Sequence, residues 1–160
     1  MLKYSLNESE NGSHFFINTQ LESMYMLSFQ KLDAEQDIDF DNDFLQENMM
    51  QMTIALLSEK REHFHVELSK TIKHIFDNML LKKKNLILYV SVESDKCKNK
   101  LIERFINDDN NDDITYLDVN VGDYTMYFFV NRDKTDAFYC IGAIMEYFQS
   151  EYGIDLTYSD

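Results

Sequence analysis

The run LILYVSV, residues 86–92, is apolar at every position before Ser91. A stretch of this length with no polar face is the mark of a strand buried at the centre of a sheet. The segment before it follows a different period. From Glu62 to about Leu81, the residues Phe64, Leu68, Ile72, Ile75, Phe76, Met79 and Leu80 recur at three and four, while Lys70, Lys73, Asp77 and Asn78 fall off that stripe. This spacing predicts an amphipathic helix. Lys82, Lys83 and Lys84 suit its C-terminal end, where cations meet the negative end of the helix dipole.

Around this pair the chain offers further strands and helices. LKYSL at 2–6, HFFIN at 14–18 and MYMLSFQKL at 24–32 read as strands, with Asn11-Gly12 as a turn signal after the first. MMQMTIALL at 49–57 suits a strand, with helix left open because a short apolar run has no decisive period. A second helix is expected at about 96–107, with Cys97, Leu101, Ile102 and Phe105 inward, broken by NDDNNDD. ITYLDVNV at 114–121 and YTMYFFVN at 124–131 flank Gly122-Asp123, a two-residue hairpin signature. A third helix is expected over 135–153, capped by Thr135 or Asp136, with Phe138, Ile141, Met145 and Phe148 on one stripe.

The 160 residues show no repeat and no linker. The expected fold is therefore a single α+β domain over 1–160, with a mixed, mostly antiparallel sheet, an N-terminal meander and three helices. One strand-helix-strand unit is expected at 86–121. Proline is absent and glycine occurs four times, so Asn, Asp and Ser must make most turns.

Charge and motif content narrow the functional classes. The chain carries 29 acidic and 15 basic side chains, a net charge of −14. Residues 60–104 hold 11 Lys/Arg against 6 Asp/Glu, a net of +5, and the remainder holds 4 against 23, a net of −19. An acidic field repels phosphates, so direct nucleic-acid binding is not expected. No apolar run approaches the roughly 20 residues of a membrane span, and MLKYSLNESENG has no secretory pattern. Two cysteines in helical segments do not make a disulfide framework, so a reducing cytoplasm is the expected compartment. Glycine-rich phosphate loops and the nucleophile elbow are missing, and no cofactor is expected.

Three constellations remain. In DAEQDIDFDNDF, residues 33–44, Asp37, Asp39, Asp41 and Asp43 occupy every second position. A calcium hand starting at Asp37 fails at position 6, which is Asn42 rather than glycine, and at position 12, which is Asn48 rather than glutamate. In extended form the four carboxylates would share one face, and Ile38, Phe40, Asn42 and Phe44 the other, so the stretch reads as an acidic connection or an acidic edge strand. Asp108, Asp109, Asp112 and Asp113 form a second acidic patch.

The second constellation is Glu93, Asp95, Lys96 and Cys97 at the end of the buried strand, where ligands bind in α/β units. Glu93 and Asp95 could hold a metal or act as acid and base, and Cys97 between Lys96 and Lys98 could have a lowered pKa. Lys96 is one place off the register of a restriction-like nuclease, and Arg104 lies seven residues after Cys97 rather than at the phosphatase spacing. A plain helix N-terminus capped by Ser94 or Asp95 accounts for the same residues. The third set is His14, His63, His65 and His74, which match no zinc signature.

KTIKHIF at 70–76 and LILYVSVESDKCKNKLIERF at 86–105, with Tyr89, Ser94, Asp95 and Phe105, resemble a family of small bacterial proteins catalogued as a domain of unknown function. The chain departs from it at Lys96 and Cys97, where the family has glycine and arginine, and in RDKTDAF, which lacks the Asn-Pro that precedes the family's last helix. The resemblance implies the same fold class and carries no activity.

Two functions stay in view. One is a non-catalytic acidic module, antitoxin-, immunity- or inhibitor-like, that engages a basic protein partner through the aspartate patches; homo-oligomers are compatible with it. The other is a small metal-dependent enzyme, hydrolase- or nuclease-like, acting through Glu93 and Asp95.

Overall fold

The computed structural model describes residues 1–19, 23–33, 38–58, 66–93, 103 and 113–156. Seven strands and three helices follow in the order β1 (Tyr4–Ser9), β2 (Gly12–Asn18), β3 (Met24–Lys31), α1 (Asp43–Asn48), β4 (Met49–Leu56), α2 (Val66–Lys82), β5 (Ile87–Glu93), β6 (Ile114–Val121), β7 (Tyr124–Asn131) and α3 (Ala137–Tyr152). The strands form one sheet in the order β1-β2-β3-β4-β5-β7-β6. Among the described residues only β4 and β5 are hydrogen-bonded neighbours in parallel, and α2 lies between them in the chain. This is the α+β fold with an N-terminal meander and a mixed, mostly antiparallel sheet that the sequence predicts.

The two strands of the unit expected at 86–121 lie in one sheet and run parallel, and the helix expected between them at about 96–107 lies, but for Glu103, outside the described residues. β5 and β6 run in the same direction within the sheet, because each is antiparallel to β7, but β7 lies between them. The Gly122-Asp123 turn, with Gly122 in the left-handed region at φ 60°, obliges β6 and β7 to be neighbours. Of the two, β7 carries Phe128, Phe129 and Val130, buried on both faces, and suits the interior. β6 exposes Asp118 and Asn120 and suits the edge.

The β1–β2 turn also shifts by one residue. Ser9 pairs with Gly12, so Glu10 and Asn11 make the turn and Gly12 opens β2. A Cβ on Gly12 would lie 2.0 Å from the Phe29 carbonyl oxygen on β3, so no other residue fits without moving the strand.

Alternation along the strands builds two cores. On one face Phe15, Ile17, Leu27, Phe29, Met52, Leu88, Val90 and Phe129 meet the predicted stripe of α2: Leu68, Ile72, Ile75, Phe76, Met79 and Leu80. Phe76 packs edge-on to Phe129 at 5.0 Å between ring centres, a favoured aromatic geometry. The backbone N–H of Leu2 donates to Thr71 Oγ1 at 2.9 Å, tying the start of the chain to α2. On the other face Met49, Ile87, Tyr89, Leu117, Val119, Phe128 and Val130 meet Cys140, Ile141, Ile144 and Phe148 of α3, with Leu45 of α1 and Phe40.

α3 starts at its expected cap: Asp136 Oδ1 accepts from the Tyr139 N–H at 3.0 Å. It ends at Gly153, left-handed at φ 63°, whose N–H bonds back to Gln149 and Phe148 carbonyls. The expected stripe needs correction at Phe138, which is 83% exposed. At 3.6 residues per turn, position 138 lies about 120° around the helix from Ile144, whereas Ala137 lies within about 20° and packs inward.

Candidate interaction surface

Over the described residues 38–44 the aspartate stretch is the acidic connection of the two expected readings, not the edge strand. Asp41 is left-handed at φ 48°, and Asp43 already belongs to the first turn of α1. The sheet edges are instead β1 and β6. The local chemistry explains the fold: Asp39 Oδ1 accepts from the Asp41 N–H at 2.9 Å, a turn made by the side chain. Asn42 Oδ1 then accepts from the Leu45 N–H at 3.1 Å as the α1 cap, and Asp43 adds a favourable charge at the helix start.

The apolar half of the alternation does turn inward, by this different geometry. Phe40 packs edge-on to Phe128 and Phe148, with its ring 4.8 Å from that of Tyr147. Phe44 packs edge-on to Tyr139 at 5.2 Å, so the connection is fastened along α3 at two points. Asp39, Asp41 and Asp43 remain exposed on its outside. Asp37 lies outside the described residues.

The result is a surface where acids and aromatic rings alternate. Phe138 is 83% and Tyr139 51% exposed at the start of α3, beside the Asp136 cap and the half-buried ring of Phe44. Farther along, Tyr147 packs edge-on to Phe148 and Tyr152 and at a tilt to Phe40. Its hydroxyl pKa is raised by burial first, then by the charge of Tyr152 and a hydrogen bond with it, and by Glu151 and Asp39. Asp39 directly precedes Phe40, whose ring packs on Tyr147 of α3. Carboxylates interleaved with exposed rings suit arginine and lysine side chains, whose cations are drawn both to the acids and to the ring faces.

The second acidic patch is only partly within view. Asp113 precedes β6, and its carbonyl accepts from the Arg132 N–H at 2.7 Å. Asp108, Asp109 and Asp112 lie outside the described residues. A cationic region adjoins the loop containing Arg132: Lys82, Lys83, Lys84, Arg132 and Lys134 are all exposed, and the Asn85 N–H donates to the Lys134 carbonyl at 3.2 Å. The basic middle of the sequence is thus set beside the turn that leads into α3.

At the other end of the sheet, Glu93 closes β5 opposite Tyr124 of β7. Asp95, Lys96 and Cys97 lie outside the described residues, so the strand-end carboxylate pair is represented by Glu93 alone. Among the described residues, no three of His, Cys, Asp or Glu gather closely enough to hold a metal ion. His14 Nδ1 sits 2.8 Å from Ser28 Oγ on the sheet, and His74 Nε2 pairs with Asn78 Nδ2 along α2. His63 and His65 lie outside the described residues. Cys140, the free cysteine among the described residues, is fully buried, and its thiol is pushed up to about 11, by burial first and then by Asp136. A thiol so placed is an inert core group.

Sequence reasoning found the carboxylates of this surface and missed its rings. The signal for Phe138 was present in its angle from Ile144. Tyr139 reads as one more apolar residue until Phe44 is brought beside it.

Comparison of the chain with protein-family models, curated proteins and solved structures returns no match. Among the described residues, no helix is long and apolar enough to cross a membrane.

Proposed function

We propose that this chain is a non-catalytic protein-binding module, of the antitoxin, immunity or inhibitor kind, whose acidic and aromatic surface along α1 and α3 engages a basic segment of a partner protein. The observation that carries this reading is Phe138, 83% exposed two residues after the Asp136 cap of α3 and next in sequence to Tyr139, whose ring packs on Phe44 of α1. A large ring left in water costs solubility and adds nothing to the core. Exposed aromatics are enriched at protein interfaces, and the surrounding carboxylates select a cationic partner. Long-range attraction from the net charge of −14 would speed the encounter, and contact with the rings would fix the register.

The test is capture of partners from the native cytosol at low and high salt, using the unmodified chain, Phe138→Ala, and the triple variant Asp39→Lys, Asp41→Lys and Asp43→Lys. One stoichiometric basic partner is expected with the unmodified chain, weakened by salt and by either variant. Capture of the same partner at equal affinity by both variants would remove this surface from consideration.

A further inference from the structure

We draw no further inference here: the strongest candidate, the face of β2, β3 and β4 turned away from α2, free of Asp, Glu, Lys and Arg and with Phe16, Met26 and Ala55 half-buried beside the His14–Ser28 pair, carries nothing because nothing in the structure shows what covers it.

Discussion

α2 and α3 cover opposite faces of one sheet and finish their outer surfaces differently. On α2 the positions turned from the core carry Lys70, Lys73, His74, Asp77 and Asn78, and Lys73 pairs with Asp77 one turn on. On α3 the outward positions include Phe138, Tyr139 and Tyr152, all more than half exposed. Val66 and Leu81, 47% and 49% exposed, stand near the two ends of α2. Of the three α3 rings, Tyr139 packs on Phe44 and Tyr152 on Tyr147 and Phe148, which leaves Phe138 as the large ring that packing does not explain. The contrast teaches where to look for function in this molecule: at the helix whose apolar residues exceed what its core consumes.

The largest effect expected on the α2 side is from Phe76→Ala. Phe76 is fully buried against Phe129, and its loss should cost about 3–5 kcal/mol in denaturant unfolding. A cost below about 1 kcal/mol would mean that α2 is not the principal cover of its face.

Cys140 gives the corresponding probe beneath α3. Its folded-state pKa of about 11 lies above the ordinary value of 9.0. The protonated thiol is favoured by folding, so its contribution is fully present below pH 9 and is lost as pH rises toward 11. The size is about 2–3 kcal/mol, from the constant of about 1.36 kcal/mol per unit. Stability measured across this window should fall more steeply in the unmodified chain than in Cys140→Ala. Equal slopes would place the thiol in contact with water.

Smaller effects separate the helix starts from their surfaces. Asp136→Ala removes the α3 cap and should cost about 1 kcal/mol, read by chemical denaturation. Lys73→Ala should cost about 0.5 kcal/mol or less, since pairs of this spacing contribute little. A reversal of that order would show α2's outer face to be structurally more demanding than α3's start.

Much of this architecture is legible in the sequence because the responsible patterns are local. The period of α2, the apolar run of β5 and the Gly122-Asp123 hairpin each declare themselves within a few residues. The place of β7 between β5 and β6 does not, because it depends on which of two apolar strands is buried on both faces once the sheet assembles. The aspartate stretch leaves connection and edge strand both open for another reason. A two-residue alternation of acids and apolar residues imitates a strand, while Asp39 and Asn42 satisfy backbone groups in a turn and helix cap. The same carboxylates were visible as a surface, but their neighbours Phe44, Phe138 and Tyr139 come together only through the packing of α1 on α3.

The most direct measurement combines stability and binding on one variant, Phe138→Ser. With the ring 83% exposed, thermal unfolding should match that of the unmodified chain to within about 0.5 kcal/mol, while salt-sensitive capture of a basic partner is lost. A marked loss of stability would show that Phe138 belongs to the core, and undiminished capture would show that the partner does not touch α3; either contradicts the account.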